Sequence, residues 1–351
     1  MSGTRQSPST KPSEFELIAR YFAPLARSSP GAYGLLDDAA VISPASGNEL
    51  VVKSDAIVAA IDFPPDAAPD LIARKALRVN LSDLAAKGAR PCAYLLDLIL
   101  PPEIDEAWIA AFAAGLSADQ NEYGVALVGG DMSSTSGPVV IAVSALGEVP
   151  VGRIIRRGGA QAGDSIFVTG TIGDAALGLR VLQGALPGLD GAAAAFLLQR
   201  YRLPQPRVTL GPQLIGIATA SIDVSDGLVA DLRHLCSVCG LDAVVAAHSV
   251  PLSAAARAAI GRGLGALAAA LTGGDDYELL FTAPQAALDR LTALAQETGV
   301  PIARIGQMKA PADSLEPRVQ VLDEHRRPLD FESEGWTHWR SGRDSNPRPP
   351  A

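Results

Sequence analysis

The sequence predicts a mixed α/β protein made of two domains of similar size. The chain has 351 residues, and a single domain typically has about 100–200. Its composition is 48% hydrophobic and 19% charged, a balance typical of globular proteins with an ample core. Short apolar runs alternate with longer stretches of helical spacing in both halves, which indicates sheets and helices in each domain.

The first domain is predicted to span residues 14–150, after a polar, Pro- and Ser-rich segment, 1–13, that we expect to be disordered. Phe15, Ile18 and Phe22 have helical spacing, and Tyr94–Leu100 is a continuous apolar run typical of a buried strand. The predicted helices are Glu14–Ala26, Pro69–Gly88 and Glu106–Glu122. The predicted strands are Ala39–Ser43, Leu50–Lys53, Tyr94–Leu100, Val125–Val128 and Val139–Val149.

The second domain is predicted to span residues 151–340, beginning with a Gly- and Arg-rich connection at Arg153–Gly163. Its predicted strands are Ser165–Thr169, Ser221–Val224, Glu278–Thr282 and Ile302–Met308. Its predicted helices are Ala175–Leu182, Arg207–Ala218, Leu228–Cys239, Ala254–Ala270 and Ala286–Thr298. The last residues, 341–351, are polar with three prolines and are expected to form a disordered tail.

Charge and cysteine content narrow the functional class. The net charge is −9, which argues against a nucleic-acid surface, since such a surface needs a basic patch. The N-terminus lacks the apolar region of a secretory signal, and the chain has no apolar stretch long enough for a membrane span. Of three cysteines, Cys236 and Cys239 form a C-x-x-C within a predicted helix, and we interpret them as structural thiols. We therefore expect a cytoplasmic protein.

Aspartates at the ends of apolar runs, beside Gly or Ser, are the main chemical signal. They are Asp37, Asp38, Asp55, Asp83, Asp131, Asp223 and Asp226. Carboxylates at strand ends can project into one cleft, and Mg²⁺ prefers such oxygen ligands together with substrate phosphates. A nucleotide triphosphate could bind among so many carboxylates only if cations lay between them. The pattern therefore predicts an ATP- and Mg²⁺-dependent phosphotransferase.

Taken singly, each aspartate has an ordinary structural explanation, because Asp after a strand is a common turn former or helix N-cap. Asp83 and Asp226 both follow Ser and precede a helical pattern, so capping fits them in particular. The number of such sites favours the functional interpretation. The sequence has no Walker-type phosphate loop and no G-x-S-x-G nucleophile motif, and its four histidines lack metal-ligand spacing.

Taken together, the segments resemble thiamine-monophosphate kinases, of the superfamily that includes aminoimidazole ribonucleotide synthetase. The resemblance covers about residues 13–339, and its order and spacing are highly specific. It is carried by Glu14–Phe22, Lys75–Ala86, Gly129-Gly130-Asp131, Ile222–Leu228 and Gly273–Leu279. It implies an N-terminal domain whose sheet pairs across a homodimer and a C-terminal α/β domain. It also implies transfer of the ATP γ-phosphoryl group to thiamine monophosphate, giving thiamine diphosphate.

The resemblance also assigns roles to residues. Several Mg²⁺ ions would be held by Asp38, Ser54, Asp55, Asp83, Asp131, Asp223 and Asp226. The nucleotide would face Gly130, Asp131, Arg157 and Ser225, while the acceptor side would comprise Asp62, Asp275 and Trp336, with Trp336 stacked on a thiamine ring. Asp131, Asp223 and Arg157 would act directly in catalysis, Arg157 by stabilising the transferring group; a solvated linker charge is the alternative for Arg157.

Four positions depart from the family pattern. Leu36 replaces the second Gly of a Gly-Ile-Gly, and Asp62 and Asp275 replace a usual His and Glu on the acceptor side. Lys53 stands where a hydroxyl residue is usual, so either one metal ligand is missing or an ammonium group replaces part of a metal's charge.

Two alternative functions remain open from the sequence. One is an ATP-dependent synthetase of the same superfamily that acts through a phosphorylated amide. The other is a non-catalytic nucleotide-binding relative, suggested by Lys53 and Asp62. Two sister activities that depend on an N-terminal or C-terminal cysteine are disfavoured, because no Cys precedes Cys92 or follows Cys239.

Overall fold

The computed structural model describes residues 12–263, 266–312, 317–331 and 335. Within these residues the strands form two separate sheets, each accompanied by helices, which confirms the predicted mixed α/β class. The segment 341–351 and most of 1–13, both predicted to be disordered, lie outside the described residues.

The N-terminal segment is helical but irregular. Helix α1 (Glu14–Leu17) begins at Ser13, whose hydroxyl and backbone form a reciprocal capping box with Glu16. The chain then continues as a π-turn at Ile18–Phe22 and a 3₁₀ turn at Ala23–Ala26. The single α-helix predicted over this span is therefore wrong in type, because Pro24 cannot donate the backbone hydrogen bond that a continuing α-helix requires.

The first sheet contains four strands in the order β1-β4-β2-β3 among the described residues. They are β1 (Asn48–Val58), β2 (Arg90–Leu100), β3 (Ala126–Ser134) and β4 (Val140–Pro150). β2 and β3 are parallel, while β4 is antiparallel to both β1 and β2. Residues alternate between the two faces of a strand, so Lys53 and Asp55 share one face of β1 and Ser54 lies on the other.

Helices α2 (Pro69–Ala86) and α3 (Glu106–Tyr123) cover one face of this sheet. Their apolar side chains form a common core with the inward residues of the strands, including Leu77, Tyr94, Phe112 and Ile141, all of which are fully buried. Both helices fall within two residues of their predicted bounds, since each has a long stretch of helix-forming residues whose buried face is mainly apolar.

The second sheet contains six strands in the order β10-β7-β9-β5-β8-β6 among the described residues. They are β5 (Ser165–Thr169), β6 (Ala220–Asp223), β7 (Asp242–Ala246), β8 (Leu279–Ala283), β9 (Ile302–Lys309) and β10 (Val319–Leu322). The accompanying helices are α4 (Asp174–Leu182), α5 (Gly191–Arg202), α6 (Leu228–Cys239), α7 (Ala254–Ile260), α8 (Ala266–Thr272) and α9 (Leu288–Thr298). β7 and β10 pair in parallel, and the other pairings are antiparallel.

Three further predicted elements are wrong. Residues 39–43 form no strand, and Val41 instead donates one backbone hydrogen bond to Gly31. The predicted helix Arg207–Ala218 contains only a 3₁₀ turn at Gly211–Leu214, which packs so closely on α2 that a Cβ at Gly211 would lie 2.2 Å from a backbone oxygen. The predicted helix Ala254–Ala270 is interrupted after Ile260 by Gly261 and by Gly263, whose φ is 83°. The sequence prediction also missed α5, β7 and β10.

Helix α2 joins the first sheet to the second part of the chain. Arg78 donates from Nη1 to the carbonyl oxygen of Pro204 at 2.8 Å, and Lys87, just beyond the helix, donates to that of Ser221 at 2.7 Å. Both side chains extend from the part of the chain that contains the first sheet to the part that contains the second. These contacts let α2 fix the position of one sheet relative to the other. Among the described residues, no helix is both long and apolar enough to cross a membrane.

Asp119 on α3 is the buried anchor of α2 and provides a test of this arrangement. It is fully buried and accepts hydrogen bonds from Arg74 Nε (2.7 Å), Arg78 Nε (2.7 Å) and Arg78 Nη2 (2.8 Å). Asp119→Ala leaves the buried Arg78 guanidinium without this anion, so we expect it to lower the free energy of unfolding by about 3–5 kcal/mol in urea denaturation. Glu122→Ala removes an exposed partner of the same two arginines and should cost about 1 kcal/mol or less. Equal losses in the two variants would contradict this account.

Candidate active site

The most compact feature of the candidate site is a lysine between two of the predicted metal-binding aspartates. Lys53 Nζ lies 3.0 Å from Asp55 Oδ2 and 2.8 Å from Asp83 Oδ2. Lys53 and Asp55 project from the helix-covered face of β1, and Asp83 comes from the last turns of α2 beneath it. Burial lowers the pKa of Lys53, but the Asp83 and Asp55 carboxylates outweigh burial and raise that pKa above its ordinary value. The ammonium group is therefore charged and holds the two carboxylates together.

Asp223 brings the second sheet into the same region. It ends β6, is only 3% exposed, and its Oδ2 atom has no hydrogen-bond partner among the described residues. Burial and the neighbouring Asp83 carboxylate raise the pKa of Asp223 to about 7, against the opposing effects of the nearby Ser82 hydroxyl and of the Lys53 and Lys87 ammonium groups. Asp83 and Asp223 are thus neighbours across the junction of the two sheets.

The donor atoms of this region fit a divalent cation. A buried carboxylate oxygen without a partner is costly, and a bound cation removes that cost. Hard oxygen donors of this kind suit Mg²⁺, which usually takes one or two carboxylates and completes its shell with substrate phosphate and water. Within the described ranges, no three carboxylate, imidazole or thiolate groups are already arranged as a complete metal site. The carboxylates described here therefore supply only part of the ligand shell that a divalent cation needs.

A separate cavity of about 190 Å³ contains a second group of predicted residues. Asp38, Gly130 and Asp131 line it, together with apolar side chains of β2 and β3. Strand β3 extends through Asp131 to Ser134, so Asp131 lies within the strand, opposite Asp97 of β2. Gly130 has a φ of 148°, and a Cβ there would lie 1.8 Å from a backbone oxygen, so only glycine fits. Ser54 lies on the face of β1 away from Asp55, with its Oγ atom 2.9 Å from Ser144 Oγ.

The loop that carries Ser225 and Asp226 is held by a residue that the sequence analysis missed. Asp231 Oδ2 accepts hydrogen bonds from the backbone N–H groups of Ser225 (3.0 Å), Asp226 (3.0 Å) and Gly227 (3.1 Å). The carbonyl of Ser225 in turn accepts from the backbone N–H of Asp275 at 2.9 Å. The sequence did contain a signal for this contact. Asp231 follows Gly227 by four residues and lies in the first turn of a helix.

The two predicted acceptor-side aspartates both contact one buried lysine of α2. Lys75 Nζ donates to the carbonyl oxygen of Asp62 at 3.0 Å and lies 3.3 Å from Asp275 Oδ2. The same ammonium group lies 4.1 Å from the centre of the Tyr201 ring. The Asp62 carboxylate accepts the backbone N–H of Val58 at 2.8 Å. Trp336, the third predicted acceptor-side residue, lies outside the described residues.

Arg157 lies at the edge of the junction between the two sheets that contains Asp83 and Asp223. Its side chain is exposed, and its carbonyl oxygen accepts from Cys239 Sγ at 3.2 Å. Burial and the Arg157 guanidinium lower the pKa of Lys87 to about 8, although Asp223 and Asp83 act in the opposite direction. Lys87 was not singled out from the sequence, but a lysine in the otherwise apolar run Leu84–Ala89 was a usable signal.

Comparison with known proteins identifies two domain families in this chain. Residues 36–149 match the AIR synthase related protein, N-terminal domain, and residues 161–315 match the corresponding C-terminal domain. Thiamine-monophosphate kinase of Salmonella typhimurium is 42% identical over 327 residues, which cover 93% of this chain and 98% of that protein. The chain belongs to the thiamine-monophosphate kinase family. The family member of Caulobacter vibrioides is 42% identical over 302 residues, covering 84% of each chain.

Solved structures of thiamine-monophosphate kinases have the same fold. The enzyme of Stenotrophomonas maltophilia K279a gives a TM-score of 0.74 at 43% identity, covering 81% of this chain and 89% of that one. AaThiL complexed with AMPPCP and TMP gives a TM-score of 0.72 at 28% identity, covering 89% and 98%. These comparisons confirm the family and the fold that the sequence motifs predicted.

The Asp231 contacts can be tested by hydrogen exchange. Asp231→Ala removes three hydrogen bonds to a charged acceptor, each worth about 1.5–3 kcal/mol, so we expect exchange at the amides of residues 225–227 to rise at least about tenfold. The matched control is Asp323→Ala, which removes a carboxylate that accepts the backbone N–H groups of His325 and Arg327 in a distant turn. Unchanged protection of residues 225–227 in Asp231→Ala would show that other contacts hold the loop.

Proposed function

We propose that the chain catalyses ATP-dependent phosphorylation of thiamine monophosphate to thiamine diphosphate. The observation that carries this proposal is the 42% identity to a thiamine-monophosphate kinase across 98% of that relative. The structurally similar AaThiL binds an ATP analogue and TMP in one complex, and this chain covers 98% of it. The two alternatives, a synthetase acting through a phosphorylated amide and a non-catalytic relative, are not favoured by these comparisons.

We propose Mg²⁺ as the required cation. The carboxylate ligands would come from Asp55, Asp83, Asp223 and Asp226, and from Asp38 and Asp131 of the separate cavity. Ser54, the remaining predicted ligand, lies on the other face of β1 from Asp55 and would serve a different ion. Bound Mg²⁺ would offset the charge of the two phosphate-bearing substrates and polarise the γ-phosphorus. The partnerless oxygen of Asp223 and its position beside Asp83 support this assignment.

The chain's own groups would mainly position the two substrates. Gly130 would face the nucleotide from the lining of the cavity, and Ser225 and Arg157 would face its phosphates. A phosphate oxygen of the acceptor attacks the γ-phosphorus while the bond to the β-phosphate oxygen breaks, and ADP leaves. The acceptor is already an anion, so no strong general base is needed. Asp62, Asp275 and Trp336 would face the thiamine part.

We further propose a homodimer formed through the first sheet. Its uncovered face carries exposed apolar side chains, among them Val52, which is 66% exposed, and Leu95, which is 39% exposed. We also infer that residues 14–150 and 151–340 are the two domains, because the strands of the first sheet end at Pro150 and those of the second begin at Ser165. A cytoplasmic location is supported by three free cysteines, which suit a reducing compartment.

The decisive experiment is a product assay. Purified protein is incubated with Mg²⁺-ATP and thiamine monophosphate, and thiamine diphosphate is measured by chromatography against a reaction without ATP. We expect one thiamine diphosphate for each ADP formed. Absence of thiamine diphosphate, with ADP released instead on an aminoimidazole precursor, would overturn the proposal in favour of the synthetase.

The metal assignment predicts the effect of neutralising single carboxylates. Asp131→Asn and Asp83→Asn should each lower kcat by at least about a hundredfold with the fold retained, since each removes a charge that would hold the cation on the transferring group. Asp97→Asn, which removes the same charge from the strand position opposite Asp131, serves as the control and should keep near-normal turnover. Near-normal rates in either test variant would show that the assignment is wrong.

Two adjacent arginines test the nucleotide contact. Arg157→Ala should lower kcat/KM for ATP by about ten- to a hundredfold, as expected for one lost charge-assisted contact to a phosphate. Arg156→Ala removes an equally exposed neighbour of the same charge and should change kcat/KM less than about twofold. A similar small change in both variants would mean that Arg157 is a solvated charge of the connecting segment.

A further inference from the structure

Lys53 occupies the space that a divalent cation bridging Asp55 and Asp83 would need. Its ammonium nitrogen is within 3.0 Å of one carboxylate and 2.8 Å of the other. Mg²⁺ bound to the same two oxygens would lie about 2.1 Å from each. The ammonium group and such an ion cannot both be present between these atoms.

The surroundings make this contact stronger than an ordinary surface ion pair. The side chain of Asp83 is only 16% exposed and that of Lys53 29%, so water screens the interaction less than at an open surface. The Asp83 carboxylate also faces the buried Asp223, which increases the local need for positive charge. Because Lys53 is covalently attached to β1, it competes with free ions at a high effective concentration.

We propose that the Lys53 ammonium group takes the place of one divalent cation, so that this chain binds one ion fewer per active site than it would with a small residue at position 53. This inference rests on the proposed function, since it assumes that Asp55 and Asp83 belong to the cation site. It leaves Asp83 and Asp223 to bind ions on the side away from Lys53. The proposal also distinguishes the two explanations for Lys53 that the sequence left open. If the ammonium group replaces a cation, any small or apolar residue at position 53 restores the ion. If Lys53 only lacks a ligand oxygen, a residue that has such an oxygen is needed.

The test counts bound Mn²⁺, a spectroscopic substitute for Mg²⁺, in the presence of a saturating non-hydrolysable ATP analogue. Free Mn²⁺ is measured by electron paramagnetic resonance in titrations of the wild-type chain, Lys53→Ser and Lys53→Val. We expect both variants to bind one more Mn²⁺ per chain than the wild type, because both vacate the space between the carboxylates. Lys53→Val supplies no oxygen ligand and suits a strand; Lys53→Ala replaces it if the valine variant does not fold.

Lys309→Ser is the matched control. It removes the same charge from an exposed strand residue whose ammonium group donates to Gln307, and it should leave the Mn²⁺ count unchanged. An extra ion in Lys53→Ser alone would support the lost-ligand explanation and overturn ours. Equal, non-zero counts in all chains would also overturn it while leaving the proposed function intact. No Mn²⁺ bound to any chain would overturn the cation site itself.

Discussion

Carboxylates from β1, α2 and β6 meet at the junction of the two sheets, and their mutual repulsion is the constraint on which the site depends. Asp55 and Asp83 are separated by one ammonium group, while Asp223 is buried beside Asp83 with one oxygen unpartnered. Two carboxylates a few ångströms apart in a partly buried site are stable together only if positive charge lies close to both. The chain supplies some of that charge through Lys53, and we propose that ions accompanying the phosphates supply the rest. An acidic protein would thereby bind two anionic substrates.

Helix α2 is the element that makes this junction possible. Lys75 contacts Asp275, Arg78 reaches the carbonyl of Pro204, and Asp83 reaches Lys53, so one helix touches both sheets along its length. Such contacts require polar side chains in an otherwise buried helix, and its charged side chains Arg74, Lys75, Arg78 and Asp83 are all paired. Asn80 Oδ1 and Ser82 Oγ have no hydrogen-bond partner among the described residues. Asp83, of the proposed cation site, and Lys75, which contacts the proposed acceptor-side residue Asp275, thus lie on one helix.

Helices and strands were predicted accurately from the sequence where the local pattern of apolar residues is strong and the element packs against the core of its own domain. Helix α2 was predicted to within two residues because its buried face is almost continuous. Residues 39–43 have strand-like composition, but among the described residues no strand pairs with them. The helix predicted at 207–218 is wrong because the conformation of this segment depends on close packing against α2. At the site, the aspartates stood out by their positions beside Gly and Ser. The supporting groups, Asp231 and Lys87, act through contacts that folding creates, so their positions in the sequence marked them as unusual but did not show what they contact.

Anomalous diffraction from crystals grown with Mn²⁺ and a non-hydrolysable ATP analogue tests the central claim most directly, because it locates the cations that the carboxylate junction is proposed to recruit. The account predicts a Mn²⁺ peak within bonding distance of Asp223 and Asp83 carboxylate oxygens and of a nucleotide phosphate. It also predicts that the Lys53 ammonium group lies between Asp55 and Asp83 and that no Mn²⁺ peak appears there. Ordered nucleotide with no Mn²⁺ peak at Asp223 or Asp83 would contradict the claim that buried carboxylate repulsion at this junction is relieved by phosphate-borne cations.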